Sequence, residues 1–294
     1  MNKGWNHELK RNLCFEDRYA KKVKIAVIQM KVDRDVDKNI TVAEDFIRKS
    51  VYDGADMVVL PEMFCCPYET SNFPIYAELE GGDIYNRLSS IASRFGIYLV
   101  AGSVPEIDKF CRVYNTSYIF DRSGTKIGKH RKMHLFDIDV EGGQYFKESD
   151  TLTPGDSICV FNTEFGKMGL CICYDFRFVE LSRIMVDEGA NIIIVPAAFN
   201  MTTGPAHWEN LFKMRAVDNQ VYTIGAAPAR DYDSSYTSYG NSIVVSPWGE
   251  VVNKMNEEEG YFIVDLDLNY IDKIRKELPL LKQRRHDIYT ISNK

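Results

Sequence analysis

From Val23 onward, short apolar runs alternate with segments of helical periodicity, and this alternation constrains the fold more than any other feature. The runs Lys24–Met30 and Asp56–Leu60 are typical of buried strands. Between them, Asn39–Asp53 carries apolar residues three and four positions apart, which predicts a helix capped by Asn39. Strands that alternate with helices indicate layered α/β packing.

The same pattern continues to the C-terminal region. Asp83 is predicted to cap a second helix, and a helix with Phe178, Leu181, Ile184 and Met185 facing inward is predicted after the run KMGLCI. Helices are also predicted at His207–Gln220 and Ile271–Leu281. The remaining predicted strands are Tyr98–Val104, Tyr114–Asp121, Thr125–Gly128, Ser157–Phe161, Lys167–Ile172, Asn191–Val195, Val221–Ala227, Ser242–Ser246, Val251–Lys254 and Tyr261–Leu266.

These elements favour an α/β fold of four layers. Two halves, each a sheet carrying two helices, would stack sheet on sheet to give an α-β-β-α sandwich. No linker rich in Pro, Ser or Gly divides the chain, so residues 23–294 are predicted to form one domain with a C-terminal tail, after an N-terminal extension at 1–22.

Charge and cysteine usage exclude several classes of protein. The net charge is -6, and the only dense basic segment is RKELPLLKQRR, so a nucleic-acid partner is not expected. No apolar run is long enough to span a membrane, and the polar N-terminal segment lacks the apolar core of a secretory signal. An odd number of cysteines, seven, favours a reducing compartment, and the protein is predicted to be cytoplasmic.

Glu62 is the first of three candidates for chemistry. In open α/β sheets, reactive groups lie at the carboxyl ends of strands, and Glu62 follows the apolar strand that ends at Leu60. A carboxyl group that is partly buried there suits a general base. Taken alone, however, a solvated loop acid is the more common reading of such a residue.

The second candidate is the basic segment Gly128–Asp137, which contains Lys132. Taken alone, this composition is more commonly that of a basic surface turn. His130 and His134 are four residues apart, as in a helical metal-binding pair, but the turn residues around them argue against a helix and no HExxH pattern is present.

The third candidate is Cys173, at a turn between a strand and a helix. The positive end of a helix dipole favours a thiolate, whereas a small buried hydrophobe is the usual fate of a free cysteine. Cys171 is predicted to lie deeper, as a core residue. Cys65 and Cys66 could join these two cysteines in a metal cluster, although neither pair has CxxC spacing.

Together the three segments resemble the nitrilase superfamily of carbon–nitrogen hydrolases. The acid lies in LPEMF, the lysine in KHRKMHLF and the cysteine in CICYDFRF, in the order typical of that family, and the resemblance extends from Val23 to about Ile288. The segments KMHLFDIDV, AAFNMTTGPAHWENL, MRAVDNQVY and SPWGEV are similar to its ω-amidase branch, whose members remove the terminal amide of short dicarboxylate monoamides such as α-ketoglutaramate. The loops at Cys65–Cys66 and Glu141–Gln144 depart from that branch.

The resemblance implies hydrolysis of a small amide without a metal or organic cofactor. Glu62 would act as the base, Cys173 as the nucleophile, and Lys132 with the backbone N–H of Tyr174 would hold the oxyanion. The resemblance also implies that Glu148 is a second acid that fixes Lys132. A homodimer or higher homo-oligomer is expected on the same ground.

Substrate-binding residues are predicted around Arg177. Four residues after Cys173, its guanidinium could clamp the distal carboxylate of the substrate, or it could pair with Glu180 or another surface acid. Phe199 is predicted to pack on the substrate, with a core position as the alternative, and Thr203 is predicted to donate a hydrogen bond.

Three other functions are compatible with parts of this sequence. A related enzyme could act on a neutral aliphatic amide, an N-carbamoyl compound, a nitrile or deaminated glutathione. A non-catalytic binding module would be free to lose Glu62, Lys132 or Cys173, and all three are present. A nucleotide-binding oxidoreductase would need a glycine-rich turn of the GxGxxG or Walker type, which the chain lacks.

Overall fold

The computed structural model describes residues 21–293. The N-terminal extension predicted at 1–22 lies outside the described residues except for its last two. The second of these, Lys22, is already the first residue of the first strand. Within the described part of the chain, no helix is long and apolar enough to cross a membrane.

The first sheet has seven strands. Its order is β15-β1-β2-β3-β5-β4, and β6 pairs with β5. Strands β1, β2 and β3 run parallel to one another, whereas β15 pairs antiparallel with β1. Their bounds are β1 Lys22–Gln29, β2 Met57–Val59, β3 Tyr98–Val100, β4 Val104–Ile107, β5 Val113–Phe120, β6 Lys126–Arg131 and β15 Gly260–Asp267.

The second sheet has six strands in the order β14-β13-β12-β11-β10-β9. Strands β10, β11 and β12 are parallel, which places their carboxyl ends at one edge. The bounds are β9 Cys159–Thr163, β10 Gly166–Leu170, β11 Ile192–Pro196, β12 Tyr222–Ala226, β13 Ile243–Val245 and β14 Val251–Lys254. A separate hairpin pairs β7 (Asp137–Asp139) with β8 (Tyr145–Lys147).

The helices of the described chain are α1 Val36–Tyr52, the short α2 Phe73–Tyr76, α3 Asp83–Phe95, α4 Val179–Asp187, α5 Gly204–Asn219 and α6 Asn269–Glu277. Helices α1 and α3 pack on the first sheet, and α4 and α5 on the second.

Three apolar layers hold this arrangement together. Alternate residues of β1 point to opposite faces, so that Val27 packs between the sheets whereas Ile28 packs under α1. Ile194 of β11 lies in the same layer as Val27, and its neighbour Ile193 packs with Trp208 of α5. The predicted four-layer α-β-β-α sandwich is therefore confirmed.

Several predicted boundaries were wrong, for local reasons. Helix α1 is capped by Asp35, whose side chain accepts from two backbone N–H groups, whereas Asn39 lies inside the helix, buried, and binds Asp33. Asp83 is the first residue of α3 rather than its cap, and α6 ends at Glu277. The strand predicted at Tyr98–Val104 is split at Gly102, which has a φ of 45°.

Gly102 matters for the position of the candidate acid. A Cβ on this residue would lie 2.2 Å from the carbonyl oxygen of Pro61. The absence of a side chain thus lets the end of β3 pack directly against the turn that presents Glu62.

Candidate active site

Glu62 lies just beyond the end of β2 and is completely buried. Its Oε1 accepts from Asn115 Nδ2 at 2.8 Å and from Lys132 Nζ at 3.0 Å. Its Oε2 accepts from the backbone N–H of Ala198, which follows β11 of the other sheet, at 2.7 Å. The carboxylate is therefore fixed by groups from both halves of the sandwich.

Lys132 follows β6 and places a completely buried ammonium between two acids. Its Nζ lies 3.0 Å from Glu62 Oε1 and 2.9 Å from Glu148 Oε1. Burial alone would lower the pKa of Lys132, but the charges of Glu148 and Glu62 outweigh it and raise that pKa above its ordinary value. The lysine is thus a permanent cation in this site.

Glu148 begins a single 3-10 turn after β8 and is also completely buried. Its Oε2 accepts from the backbone N–H of Phe136 at 2.7 Å. Burial, followed by the nearby charge of Glu62, raises the pKa of Glu148, although Lys132 opposes the shift. The structure therefore brings Glu148 to Lys132, as the family resemblance implied.

Tyr68 joins the two acids, and no pattern in the sequence selects it. Its hydroxyl lies 2.6 Å from Glu148 Oε1 and 3.1 Å from Glu62 Oε1. Burial and the two carboxylates raise the pKa of Tyr68 well above its ordinary value, so the phenol keeps its proton. That single proton can be donated to only one carboxylate at a time.

Cys173 opens a 3-10 helix, Cys173–Arg177, shortly after the end of β10. Its φ of 48° is left-handed, a conformation that non-glycine residues adopt rarely and at a cost of roughly 1–3 kcal/mol. Met63, directly after Glu62, has a φ of 50°. Cys173 itself and the residue next to Glu62 are therefore both strained. Such strain is common where a fold holds side chains in position at a reacting centre.

The helix dipole does not decide the protonation of Cys173. The thiol is 4% exposed, and burial raises its pKa well above the ordinary value; the negative charge of Glu62 raises it further. Lys132 opposes this shift, but its one positive charge faces two carboxylates. A short 3-10 turn cannot outweigh that negative field, so the resting group is a neutral thiol that needs a base.

Asp175 connects the segment after Lys132 to the turn that begins at Cys173. Its buried carboxylate accepts from the backbone N–H groups of Met133, His134 and Ile172 at 3.1, 2.8 and 3.1 Å. Burial opposes ionisation, but bonds to His130 and His134 lower the pKa of Asp175 far below its ordinary value. Asp175 therefore fixes the lysine and the cysteine relative to each other.

His130 and His134 also contact Asp175. His130 Nε2 and His134 Nδ1 each lie 2.8 Å from one of its carboxylate oxygens. Between residues 21 and 293, no group of three or more His, Cys, Asp or Glu side chains is arranged to hold a metal ion. Cys65, Cys66 and Cys171 are buried free thiols.

Arg177 is the least satisfied cation near Cys173. Its guanidinium lies 4.8 Å from the ring centroid of Phe199, and Nη1 lies 3.0 Å from His207 Nδ1. The predicted alternative, an ion pair with Glu180, is not formed, and burial lowers the pKa of Arg177 without a nearby acid to compensate. Its Nε is buried with no hydrogen-bond partner in the described chain.

The other predicted substrate contacts lie around Arg177. Phe199 is 5% exposed and packs edge-on against Trp208, so its ring is part of the core and also supports the guanidinium. Tyr174 is half-buried and packs against Phe136. The hydroxyl of Thr203 donates to Asn200 Oδ1 at 3.0 Å, so its hydrogen is bonded within the protein and is not directed at the cluster around Lys132.

The chain is similar to carbon–nitrogen hydrolases over most of its length. Residues 24–276 match the family model described as carbon-nitrogen hydrolase. An ω-amidase NIT2 from Xenopus tropicalis is 48% identical over 273 residues, which cover 93% of this chain and 99% of the relative. The human ω-amidase NIT2 is 46% identical over 271 residues, covering 92% and 98%.

Solved structures show the same fold. Nit3 of Saccharomyces cerevisiae, from branch 10 of the nitrilase superfamily, superposes with a TM-score of 0.85 at 41% identity, covering 92% of this chain and 98% of its own. A mutant of an amidase from Nesterenkonia sp. superposes with a TM-score of 0.76 at 25% identity, covering 90% and 95%. That amidase carries the acetamide moiety of fluoroacetamide added covalently to its active-site cysteine.

Proposed function

This chain belongs to the carbon–nitrogen hydrolase family, and on that premise we propose that it removes the terminal amide of a short dicarboxylate monoamide such as α-ketoglutaramate. The observation that carries the proposal is the position of the Cys173 thiol beside a buried Glu62–Lys132–Glu148 cluster, near the guanidinium of Arg177, which has no carboxylate partner in the described chain. It would be an ω-amidase that uses no metal or organic cofactor.

The first half of the reaction forms a thioester. Glu62 takes the thiol proton as Cys173 Sγ attacks the amide carbon, which compensates for the raised pKa of that thiol. Lys132 and the backbone N–H of Tyr174 hold the oxyanion. Glu62 then returns the proton to the leaving nitrogen, and ammonia departs.

The second half releases the acid. Water gives a proton to Glu62 and attacks the thioester carbon, the C–S bond breaks, and Cys173 regains its proton. Two steps through a covalent intermediate thereby replace one difficult amide hydrolysis. The covalent addition at the active-site cysteine of the Nesterenkonia amidase supports this chemistry for the related thiol.

Glu148 keeps Lys132 in place while Glu62 gains and loses a proton. When Glu62 is neutral, Glu148 still lies 2.9 Å from the ammonium and supplies its counter-charge. The lysine therefore does not have to move or lose its proton during the cycle.

The preference for an acidic substrate rests on Arg177. A half-buried guanidinium without a carboxylate partner is suited to a bidentate contact with the distal carboxylate of a monoamide. The relatives named ω-amidase support the same substrate class, and Phe199 and Tyr174 would flank the bound chain.

Ammonia release from a substrate panel tests this proposal. The panel contains α-ketoglutaramate, a neutral amide of similar length, an N-carbamoyl compound and a nitrile. We expect the acidic monoamide to have the highest kcat/KM, and an acyl adduct on Cys173 to be detectable by intact mass. Preference for the neutral amide or the nitrile would contradict the assignment.

We also propose that the protein acts in the cytoplasm as a homodimer or higher homo-oligomer. The six cysteines within residues 21–293 are all free, which fits a reducing compartment. Sedimentation velocity of the full chain measures the oligomeric state, and a tagged chain imaged in its own cells gives the location.

A further inference from the structure

The guanidinium of Arg177 is held at one edge by His207, a residue that the proposed mechanism does not use. His207 is exposed and is the fourth residue of α5, and its Nδ1 lies 3.0 Å from Arg177 Nη1. Among residues 21–293, it is the only hydrogen-bond partner of the guanidinium. A guanidinium can only donate. The contact is therefore a hydrogen bond in the tautomer of His207 whose Nδ1 carries no proton.

The start of α5 fixes the position of this imidazole. The backbone N–H of His207 donates to the Thr203 carbonyl at 2.9 Å. The next residue, Trp208, is completely buried, and its ring packs on Phe199. The ring of Phe199 in turn lies 4.8 Å from the guanidinium of Arg177. Two consecutive residues of α5 thus support the guanidinium, one directly and one through Phe199.

The same helix also holds the main chain of Arg177. Arg215 lies about two turns after His207 on α5. Its Nη2 donates to the Arg177 carbonyl at 2.8 Å, and its Nε donates to the Phe176 carbonyl at 3.2 Å. The backbone and the guanidinium of Arg177 are therefore both attached to α5.

The contact with His207 determines which donors of Arg177 stay free. The guanidinium has five N–H donors in one plane. His207 contacts Nη1, which leaves the edge formed by Nε and Nη2, and Nε is buried without a partner in the described chain. Two N–H groups on one edge match the two oxygens of a carboxylate. Burial lowers the pKa of Arg177, and Cys173 is the titratable group with the next largest influence, so the guanidinium lies near the nucleophile.

Building on the proposed function, we propose that His207 helps to determine the preference for an acidic substrate by positioning Arg177. It holds Nη1, so that the edge formed by Nε and Nη2 is in place before the distal carboxylate of the monoamide arrives. An arginine that is already positioned loses less conformational freedom on binding than a mobile one. No bond is made or broken at His207, and it does not touch the substrate.

Removing the acceptor tests this role. His207→Leu replaces the imidazole with an apolar group, and its exposed position should leave the fold intact. We expect KM for an acidic monoamide to rise by about 3–10-fold with kcat nearly unchanged, because the lost contact acts on binding of a group remote from the reacting carbon. On a neutral amide of equal length, both constants should remain those of wild type. Ammonia release gives the kinetics, and thermal unfolding checks the fold.

A conservative variant and a matched control separate positioning from a structural role. His207→Asn should restore most of the affinity, because the amide oxygen of asparagine can accept at the place of Nδ1. Asn210→Leu changes another exposed polar residue of α5, whose side chain donates to the Ala206 carbonyl at 2.9 Å, and it should leave both substrates unaffected. A failure of His207→Asn to restore the affinity, or an equal effect of Asn210→Leu, would contradict the proposal.

A double-mutant cycle with Arg177 separates positioning from direct contact. In the Arg177→Ala background, the further change His207→Leu should not alter KM for the acidic monoamide, since His207 acts only through the guanidinium. An equal rise of KM in both backgrounds would mean that His207 binds the substrate itself, which would overturn the proposal. Equal losses on the acidic and neutral amides in the single variant would overturn it as well.

The failure of this proposal differs from the failure of the proposed function. A wild-type enzyme that does not prefer the acidic monoamide contradicts both. A wild-type enzyme that has this preference, together with a His207→Leu variant that keeps it in full, contradicts the role of His207 alone.

Discussion

The buried cluster of Glu62, Lys132 and Glu148 and the guanidinium of Arg177 differ in how fully their charges are satisfied. Within the cluster, each charged group contacts an opposite charge and at least one further hydrogen-bonding group. Arg177 instead contacts a ring nitrogen of His207 and aromatic rings. The cluster is therefore complete before substrate arrives, whereas the Arg177 side lacks one anion that the substrate can supply.

The largest expected effect is the loss of turnover when Cys173, the thiol near both regions, is replaced. Cys173→Ala should lower kcat on the order of 10³-fold or more while the protein stays folded, because the variant cannot form the thioester. Ammonia release and thermal unfolding measure the two properties. The matched control Cys171→Ala, which removes a buried thiol two residues away, should keep most activity. Comparable turnover in both variants would contradict the assignment of the nucleophile.

Removing the cation tests whether the cluster is as tightly balanced as its distances suggest. Lys132→Met leaves two buried carboxylates without a counter-charge, and we expect the free energy of unfolding to fall by about 3–5 kcal/mol. Urea denaturation measures it. Lys213→Met removes a lysine from an exposed ion pair with Glu209 and should cost only about 0–1 kcal/mol. Similar losses of unfolding free energy in the two variants would mean that water reaches the cluster and screens its charges.

Arg177→Ala tests the unsatisfied side. Because a charge-assisted hydrogen bond contributes about 1.5–3 kcal/mol, kcat/KM for an acidic monoamide should fall by roughly 10–100-fold, with a much smaller loss on a neutral amide of equal length. Steady-state ammonia release on both substrates gives the ratio. Arg183→Ala, a half-buried arginine on α4 that donates to the Asp218 carbonyl, is the control. Equal losses of kcat/KM on the two substrates would show that Arg177 does not bind the distal carboxylate.

The smallest effect concerns the protonation of Cys173. A folded-state pKa above the unfolded one means that the folded protein holds the thiol proton more tightly, so the stabilisation is full below about pH 8.5 and is lost as the pH rises further. The free energy of unfolding of wild type, relative to Cys173→Ala, should therefore fall by about 1.4 kcal/mol per pH unit above that value. A thiolate would instead make this difference fall as the pH drops below about 8.5.

The sequence predicted the layers well because they depend on local periodicity. Glu62, Lys132 and Cys173 could be selected because each stands just beyond an apolar strand or in a segment whose polarity packing does not explain. Glu148 came only from the family resemblance. The helix start at Asp35 was missed because Asp and Asn are both good caps and periodicity does not choose between them.

Other features depend on contacts between distant parts of the chain. Tyr68 contacts Glu148 eighty residues later, and Asp175 contacts the segment after Lys132 across forty-one and forty-two residues. No spacing rule connects such pairs. The dipole at Cys173 is a local property that the sequence indicates, whereas the field of the two carboxylates, which raises the pKa of the thiol, exists only in the folded structure.

The hydrogen bond from the Ala198 N–H to Glu62 has a consequence for how activity arises during synthesis. A ribosome-bound chain that ends before β10 already contains both acids and the lysine, but it lacks the thiol and the donor that fixes Glu62. Neither half of the molecule can be active alone, and no fragment released early can attack an amide. Catalytic competence is therefore a late event in the life of each molecule, tied to the docking of the second sheet on the first.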